Sequence, residues 1–560
     1  MSNENAKKYF AKGLKLYAEK QFDLAQKAFE EALALSPNRP SVLRNLALVY
    51  FINKNYLKAN EVLEHLENFE QFDDDLNELK FKVLKNLNRL DELENFFIKN
   101  KNFIKKDVFY DLFKKLIYPN FFNSQLEIDN KRNEIEKNLD EILDSFDAKL
   151  DLDKNILEPP IFNLSYDQYD NLKINKKIVN VFRKIYPKLN EKFIIEKKNN
   201  RIKIGFFSEF FTNHTIGKLF KGLIFNLDKS IFEIIIFHSI NTKKSSTFNE
   251  FLNSEITQGI KNIILDKNFS EKIITIKNEN LDMVFFPDIG MSTEFYYLSF
   301  IRFANVQITS WGHPITSAND SIDFFLSSDL LKSDDDKKNF SEKLIYLKNL
   351  PMYFYKPKIK NILGKDEINN QNIYFCSQTL IKFHPHFDQI LDKILIDDKK
   401  AKIFLIDDYN LGLKLKNRLK NNIPNNFERI IFLNKLSLEN YINKCGQASV
   451  LLDSLYFGAG NSFHESMYYG TPTVTLPTQN LKSRIVFGAY KQMQITTPPI
   501  VKNLDDYVGS AVNLANLDPK KILDQKHFYK ARAEKFLYEN DEFIEEINQL
   551  LINLYRNEKT

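Results

Sequence analysis

The spacing of hydrophobic positions changes near residue 200 and divides this chain into a helical part and a mixed part. Before that point, small and large apolar residues recur at helical intervals: Tyr9, Gly13, Leu16, Ala25 and Phe29 have counterparts 34 residues later at Leu43, Ala47, Tyr50, Ala59 and Leu63. After it, short apolar runs separated by helical or turn segments are typical of buried parallel strands. The pattern therefore predicts helical hairpins followed by an α/β region.

The period of 34 residues is that of tetratricopeptide repeats. One copy spans residues 6–39, a second follows in phase, and a third around Asp74–Lys106 is degenerate. Such repeats stack into a docking surface for a protein, so residues 1–106 are predicted to be a docking module. Two amphipathic hairpins of no special family are the alternative. Residues 107–195 are charged and helical, with breaks at Asp147–Asp153 and Glu158–Pro160, and are predicted to be a connector.

From Arg201 onward, two series of short apolar runs predict two parallel sheets in tandem. The first series is Ile202–Phe207, Phe232–Phe237, Asn262–Leu265, Met283–Phe286 and Gln307–Ser310. The second is Ile373–Cys376, Lys402–Ile406, Ile430–Leu433, Ser449–Leu452 and Thr473–Leu476. We expect two Rossmann-like halves, over residues 196–355 and 356–560, with a cleft between them. Helical periodicity in Ala531–Tyr555 predicts a C-terminal helix.

Composition is that of a folded protein with several domains and excludes some functional classes. The 560 residues carry 79 Lys and Arg against 74 Asp and Glu, and the net charge of +5 is too small and dispersed to indicate a nucleic-acid partner. Only Cys376 and Cys445 are present, so no disulfide framework is predicted and a reducing compartment is favoured. No apolar run reaches the ~18 residues of a membrane span, and no signal-peptide core is found. We expect a cytoplasmic location.

The segment Leu452–Pro477 carries the strongest chemical signal. Its strand leads into a turn with Gly458 and Gly460, where the backbone can approach a ligand without an intervening Cβ, and a helix begins near Asn461–Phe463. One turn later, the Glu465 carboxylate could accept hydrogen bonds from ribose hydroxyls. These features predict a phosphate-binding strand–turn–helix unit, and the alternative is a structural turn of an α/β sheet.

Two titratable side chains follow predicted strand ends, the edge at which α/β proteins bind ligands. His214 follows the first strand and could polarise a group or accept a proton. Lys382 follows Ile373–Cys376, and its ammonium could neutralise the charge that develops on a leaving diphosphate. A loop histidine bonded to backbone groups and a solvated helix lysine are the structural alternatives.

Two aspartate runs, Asp73–Asp75 and Asp334–Asp336, lie in polar stretches without flanking strands. A metal site of an α/β enzyme would require carboxylates at strand ends, so we interpret both runs as solvated loops. No metal is predicted.

Five ordered blocks of sequence stand at spacings shared with a known family. They are RIKIGFFSEFFTNHTIGKL at 201–219, RFANVQITSWGHPITSANDSIDFFLSSDLL at 302–331, FCSQTLIKFHP at 375–385, RIIFLNKLSLENYI at 429–442, and the 452–477 segment followed by LKSRIV at 481–486. Together they resemble the O-linked N-acetylglucosamine transferase family, with its bacterial N-glucosyltransferase and flagellin glycosyltransferase relatives. The resemblance implies an N-terminal all-α tetratricopeptide-like region followed by an α/β GT-B fold of two Rossmann-like halves.

The resemblance also implies roles for individual residues. His214 and Lys382 would be catalytic, and Trp311 and His313 would line the acceptor side between the halves. Donor binding would involve Gln378, Tyr441, Gly458, Gly460, Asn461, Ser462 and Glu465. Tyr441 would stack on uracil and Glu465 would contact the ribose.

The chain departs from the animal-type pattern at three points. Lys382 follows Gln378 by four positions rather than three, Leu438 replaces a lysine, and Gly460–Asn461–Ser462 replaces His–Thr–Thr at the diphosphate. Hydroxyl, amide and backbone N–H donors can still hold phosphate, so donor binding is still expected.

These features predict an inverting, metal-independent glycosyltransferase. It would move N-acetylglucosamine or glucose from a UDP donor to Ser, Thr or Asn of a protein docked by the repeats, with flagellin or a surface protein as a candidate acceptor. No cofactor besides the UDP-sugar co-substrate is expected. Two alternatives stay open: a catalytically inactive scaffold for protein assembly or regulation, and a transferase for a glycan- or lipid-linked acceptor.

Overall fold

The computed structural model describes residues 2–104, 107–191, 193, 201–242, 259–360, 372–407 and 411–557. The chain divides into two compact units, Met1–Asn120 and Phe121–Thr560. None of the helices within these ranges has the length and apolar character that a membrane span requires.

The N-terminal unit consists of paired helices, as the repeat spacing predicts. Its helices are α1 Ser2–Ala18, α2 Phe22–Leu35, α3 Pro40–Ile52, α4 Tyr56–Leu66, α5 Asp74–Asn86, α6 Leu90–Lys99, α7 Lys101–Ile104 and α8 Val108–Leu116. Gly13 is required at the first hairpin, because a Cβ there would lie 2.5 Å from the Phe29 ring. The unit continues past residue 106 because Phe113 of α8 packs against Phe81 and Phe97.

The third hairpin buries polar residues where the second hairpin buries leucines. Asn77 and Lys80 follow Leu43 and Leu46 by 34 residues, and all four side chains are buried. Lys80 pairs with Glu67 at 3.4 Å, whereas Asn77 Oδ1 has no hydrogen-bond partner among the described residues. These substitutions explain why the third copy is degenerate as a sequence pattern although it folds as a helical hairpin.

The connector contains α9 Gln125–Ser145, α10 Ile161–Leu164, α11 Leu172–Ile185 and a short 3-10 helix Pro187–Asn190. Ser124 caps α9, and the helix ends before the break predicted from Asp147–Asp153. Buried polar contacts fix the connector to the rest of its unit: Asn175 donates to Thr316 O at 2.9 Å, and Lys482 Nζ donates to Asp167 O at 2.7 Å.

The first sheet is fully parallel and has the order β3-β2-β1-β4-β5-β6-β7. Its strands are β1 Ile202–Phe207, β2 Phe232–His238, β3 Lys261–Ile264, β4 Met283–Phe286, β5 Val306–Ser310, β6 Phe324–Ser328 and β7 Lys343–Leu347. Its helices are α12 Thr215–Asn226, α13 Phe269–Asn278, α14 Thr293–Leu298 and α15 Asp336–Asn339. The first five strands were predicted and the last two were missed. The apolar run of β6 is short because the strand ends in two serines, and β7 is an edge strand that begins with Lys343 and is mostly only half-buried.

The second sheet is also parallel, with the order β10-β9-β8-β11-β12. Its strands are β8 Ile373–Cys376, β9 Lys402–Ile406, β10 Ile430–Leu433, β11 Val450–Leu452 and β12 Thr473–Val474, all at predicted positions. The helices from here to the end of the described chain are α16 Pro385–Asp397, α17 Gly412–Asn422, α18 Leu438–Gln447, α19 Asn461–Ser466, α20 Ile485–Gln492, α21 Leu504–Ala515, α22 Pro519–Phe536 and α23 Asp541–Asn557.

The last two helices pack on the first sheet although they follow the second in sequence. Tyr529, Leu537 and Phe543 belong to the same hydrophobic cluster as Ile204 and Phe285 of the first sheet. The predicted helix Ala531–Tyr555 is interrupted between α22 and α23, where Glu539 has φ 50° and its N–H donates to Phe354 O at 2.9 Å. The chain therefore returns to the first sheet at its C-terminal end.

Candidate active site

A buried aspartate organises the glycine turn after β11. Asp453 Oδ1 accepts from the Ala459 N–H at 2.7 Å, and Oδ2 accepts from Thr475 Oγ1 at 2.7 Å. Burial raises the pKa of Asp453 to about 6, while these hydrogen bonds oppose the shift. The Gly458 N–H donates to Lys482 O at 2.8 Å, so the turn is fixed on both sides before any ligand arrives.

Lys382 lies against this turn. Its ammonium donates to Gly458 O at 2.9 Å and to Gln378 Oε1 at 2.8 Å, and it lies 4.9 Å from the centroid of the Phe457 ring. Within the described residues the third N–H has no acceptor, so it can point towards an anion. Burial lowers the pKa of Lys382 to about 8, with the charge of Asp453 acting in the opposite direction.

Gln378 and Tyr441 hold the start of α19. Gln378 Nε2 donates to Ser462 Oγ at 2.8 Å. Tyr441 Oη donates to Ser462 O at 3.2 Å and lies within hydrogen-bonding distance, 3.1 Å, of Ser377 Oγ. The Tyr441 ring is 8% exposed and packs in a hydrophobic cluster with Phe375 and Ile442. We expected this ring to stack on a base. Its faces are instead covered by protein, so Tyr441 supports Ser462 in this structure.

Gly460 and Asn461 leave room and hydrogen-bonding capacity at the turn. A Cβ on Gly460 would find its nearest heavy atom, Trp311 Cζ3, at 3.8 Å, which is ordinary contact. Asn461 is buried, and its Oδ1 has no hydrogen-bond partner within the described ranges. His464, which precedes Glu465, turns away from the site: its Nδ1 lies 2.9 Å from Gly460 O, and its ring packs beside Phe354.

Next to the glycine turn, an ion pair joins a helix of the first half to a helix of the second half. Lys218 of α12 donates to Glu465 Oε1 of α19 at 2.7 Å, and the side chain of Glu465 is almost fully buried. A buried carboxylate needs such a partner, because an isolated buried charge is strongly destabilising. Lys218 lies one turn into α12, whose N-cap is His214.

His214 is the N-cap of α12. Its Nδ1 accepts from the Ile216 N–H at 3.3 Å, and its ring stacks on Phe210 with centroids 4.6 Å apart. Burial lowers the pKa of His214 to about 4, with Lys218 contributing in the same direction. The neutral ring that caps through Nδ1 carries its proton on Nε2. This tautomer can donate a hydrogen bond from Nε2, but it cannot accept a proton there.

Two carboxylates lie at the carboxyl edge of the first sheet, after β1 and β4. Asp288 Oδ2 accepts from Ser208 Oγ at 2.9 Å, and Glu209 Oε2 accepts from Ser292 Oγ at 2.6 Å. Burial raises the pKa of Asp288 to about 8; the Ser208 bond opposes this shift and the charge of Glu209 adds to it. At neutral pH Asp288 is therefore mostly protonated.

Trp311 and His313 are each 2% exposed, so neither presents an open surface. Trp311 lies in the hydrophobic cluster of the first sheet and donates from Nε1 to Pro351 O at 3.3 Å. His313 Nδ1 lies 2.8 Å from Ile289 O, and the ring stacks on Phe162 of the connector. We expected both residues to line the acceptor side. In the structure Trp311 lies beside Gly460, within the hydrophobic cluster of the first sheet, and His313 lies against the connector.

The aspartate runs have local roles. Asp73 caps α5 and pairs with Arg44 at 2.6 Å, while Asp336 is buried and accepts from Tyr346 Oη at 3.0 Å. Within the described residues, no group of three His, Cys, Asp or Glu side chains could hold a metal ion.

Sequence reasoning missed Lys218, Asp453 and Asp288. Asp453 directly follows one predicted strand, and Asp288 lies two residues beyond another. A position just after a strand is the same signal that indicated His214 and Lys382. The spacing of Lys218 from His214 was visible as well. Its partner Glu465 is 247 residues away, and no local pattern connects the two.

Comparison with known proteins agrees with this architecture. A family profile described as tetratricopeptide repeat matches residues 16–82. The full chain aligns with a mutant of the Thermobaculum terrenum O-GlcNAc transferase, with a TM-score of 0.69 and 14% identity, covering 100% of this chain and 98% of that one. This likeness confirms the predicted fold of helical repeats followed by two GT-B-type halves.

Two curated relatives are similar at lower coverage. A probable UDP-N-acetylglucosamine–peptide N-acetylglucosaminyltransferase of Arabidopsis thaliana is 20% identical over 63% of this chain and 37% of its own length. A UDP-glucose:protein N-beta-glucosyltransferase of Actinobacillus pleuropneumoniae is 21% identical over 56% of this chain and 51% of its own length. The predicted resemblance to the O-linked N-acetylglucosamine transferase-like proteins is thus confirmed, and the match spans about half or less of these relatives.

Proposed function

We propose that this protein is a glycosyltransferase that moves glucose or N-acetylglucosamine from a UDP donor to a Ser, Thr or Asn side chain of a protein. The observation that carries the proposal is the pre-formed network of Lys382, Gln378 and Ser462 around the open Gly460 turn. Such a turn accepts an anion, and the relatives named above use UDP-sugars on proteins. The buried free thiols of Cys376 and Cys445 fit a reducing compartment such as the cytoplasm.

Donor binding is assigned to the second half, residues 356–560. Gly458, Gly460, Asn461 and Ser462 would contact the diphosphate, and Gln378 would hold Ser462 in place. Glu465 would accept hydrogen bonds from the ribose hydroxyls through Oε2, because Oε1 is engaged by Lys218. Tyr441 would position the turn through Ser462 O rather than bind the base.

The catalytic roles are assigned to Lys382 and His214. The acceptor oxygen or nitrogen would attack the anomeric carbon from the face opposite to UDP, which inverts the configuration. The bond between that carbon and the diphosphate oxygen would break, and the proton released by the acceptor group would pass to a phosphate oxygen of the departing UDP. Lys382 would neutralise the charge on the departing diphosphate in place of a metal ion. His214 would donate a hydrogen bond from Nε2, since its Nδ1 lone pair caps α12.

The acceptor is assigned to the repeats and the first half. Residues 1–106 would dock the acceptor protein, and residues 196–355, reached through the connector at 107–195, would carry the acceptor side of the cleft. Trp311 would act here through its position beside Gly460, and His313 would act through its contact with Phe162 of the connector.

Thermal unfolding with nucleotides tests the donor. UDP should raise the melting temperature because it binds the folded state; at 100 times its Kd the gain is about 2.7 kcal/mol. GDP at the same concentration is the control. A rise with GDP and none with UDP would contradict the donor assignment. Intact-mass spectrometry of candidate acceptors, flagellin first, should then show the addition of one hexose or one N-acetylhexosamine when this chain is co-expressed.

A further inference from the structure

The Lys218–Glu465 ion pair has unused hydrogen-bonding capacity on both partners. Lys218 donates one of its three ammonium N–H groups, to Glu465 Oε1 at 2.7 Å, and has no other acceptor within the described residues. Glu465 is 6% exposed, and its Oε2 likewise accepts from no described donor. The pair therefore offers two cationic donors and one anionic acceptor at the same place.

The pair continues the network around the glycine turn. Glu465 lies on α19 three residues after Ser462, whose Oγ accepts from Gln378, and Gln378 in turn accepts from Lys382. Lys218 lies on α12, which begins at His214. The ion pair is thus the point at which a residue of the first half reaches the predicted donor site of the second half.

We propose that Lys218 is a further donor-binding residue that contacts a phosphate of the nucleotide, while Glu465 contacts the ribose. This inference rests on the proposed function. A nucleoside diphosphate carries anionic oxygens and vicinal hydroxyl donors within one molecule, which complements a free ammonium donor beside a free carboxylate oxygen. The same contact would make the donor bridge α12 and α19 and hold the two halves together.

A purely structural ion pair is the competing explanation, and it requires a careful choice of variants. Removing Lys218 alone would leave Glu465 as an uncompensated buried charge, which weakens anion binding indirectly. The comparison is therefore between Glu465→Gln and the double variant Lys218→Met/Glu465→Gln. Neither variant has a carboxylate to compensate, so their difference reports on the ammonium itself.

Binding of UDP and of uridine would be titrated to wild type and to both variants. Trp311 is the only tryptophan and lies 3.8 Å from the Cβ position of Gly460, so its fluorescence reports on this turn. We expect the double variant to bind UDP about 10- to 100-fold more weakly than Glu465→Gln, the scale of a lost charge-assisted hydrogen bond. Uridine, which has no phosphate, should bind both variants equally.

Lys261→Met is the matched control, because Lys261 forms an ion pair of the same length with Glu279 at the edge strand β3. It should bind UDP as wild type does. Equal UDP affinity in Glu465→Gln and the double variant would overturn the phosphate contact, and so would an equal loss for UDP and uridine. If wild type itself gives no UDP response in fluorescence or melting, the proposed function fails, and this inference fails with it.

Discussion

At the scale of single residues, Lys382 combines two hydrogen bonds with one N–H that has no acceptor in the part of the chain that the structure describes. Lys382→Met should lower kcat on the order of 10²–10³-fold, because one preorganised cation at the leaving group is lost. Since desolvation lowers the pKa of Lys382 to about 8, the ammonium is present below that pH and lost above it. The kcat/KM of wild type should therefore fall as pH rises through about 8.

Lys526→Met provides the control for Lys382→Met. Lys526 is also buried, donates to two backbone carbonyls, Gly446 O and Ala448 O, and has a pKa lowered by burial to about 8. It lies outside the proposed site. If Lys526→Met lost as much turnover as Lys382→Met at equal folded fraction, the electrostatic role of Lys382 would be refuted.

His214 has a structural role as a cap and a proposed chemical role, and one substitution separates them. Asparagine is a good N-cap, so His214→Asn should change the free energy of unfolding by less than about 1 kcal/mol. It removes the Nε2–H donor and should lower turnover on the order of 10²-fold, with UDP affinity unchanged. Kinetics and UDP titration would be compared with His214→Ala, which loses both roles. Normal turnover in His214→Asn would remove the imidazole from the mechanism.

The sequence predicted which residues follow the strand ends, but it did not predict which side chains contact one another. Lys382, Gln378 and Ser462 come together as one network, and Gly460 is open as expected. The burial of the Tyr441 ring and of His313 could not be foreseen. A position in a motif does not fix which way a side chain turns, and that direction is decided by packing against distant segments.

At the scale of elements, a substitution in the turn between β11 and α19 tests whether this turn binds the ligand. Gly460→Ala should leave the free energy of unfolding within about 0.5 kcal/mol of wild type, because the added Cβ meets only ordinary contacts. If a phosphate lies on this turn, the methyl group should reduce UDP affinity about tenfold, which is about 1.4 kcal/mol. Thermal melts and UDP titrations measure the two effects separately.

Gly470→Ala is the opposite case on the same segment. Gly470 has φ +70°, and a Cβ there would lie 2.1 Å from Lys526 O. We expect this substitution to lower stability clearly and to affect UDP binding only through the folded fraction. A Gly460→Ala variant that melts like Gly470→Ala, or that keeps full UDP affinity, would contradict a ligand-binding turn.

Elements were predictable where burial imposes a simple pattern. β1, β4, β8, β9 and β10 end where the apolar runs end, because parallel strands buried on both faces read as continuous hydrophobic segments. The apolar run of β6 is cut short by two serines, and β7 is only half-buried at the edge of its sheet. The interruption between α22 and α23 is set by the contact of Glu539 with Phe354 O. That contact joins residues far apart in sequence, so helical periodicity alone could not place it.

At the scale of the whole molecule, the buried neutral histidines should make the folded state less stable at acid pH. Burial lowers the pKa of His214, His238, His313 and His464 to about 4, and that of His384 to about 3. Their unfolded pKa is about 6.5, so between these values the unfolded chain binds protons that the folded chain does not. Stability from these groups is complete above about pH 6.5 and is lost as pH falls towards 4.

Among the described residues, three carboxyls have raised pKa values and act in the opposite sense, but they are fewer than the five histidines. The third is Asp388, whose pKa is raised by burial against the opposing charge of Arg418. The raised pKa values of Asp288 and Asp453 favour the folded state at low pH and cost stability as pH rises through about 8 and about 6. Unfolding between pH 4 and 6 should therefore take up protons overall, and the melting temperature should fall with decreasing pH. Calorimetry across that pH range measures the melting temperature. A melting temperature that rises on acidification would show that these imidazoles are solvated.

The division of the chain into two units gives the last prediction. Removal of residues 1–120 should abolish modification of the native acceptor and spare UDP binding and slow donor hydrolysis, because the residues assigned to the donor all lie beyond Phe121. The cut belongs after Asn120, because a cut at residue 106 would expose Phe113, whose ring packs on Phe81 and Phe97. Arg418, by contrast, donates to Phe122 O at 2.7 Å and lies over the Phe121 ring, so Phe121 and Phe122 must be kept.

Acceptor glycosylation and donor hydrolysis would be compared in full-length and shortened protein at equal folded fraction. Undiminished modification by the shortened form would contradict a docking role for the repeats, whereas loss of UDP binding would contradict the assignment of the donor site to the second unit alone.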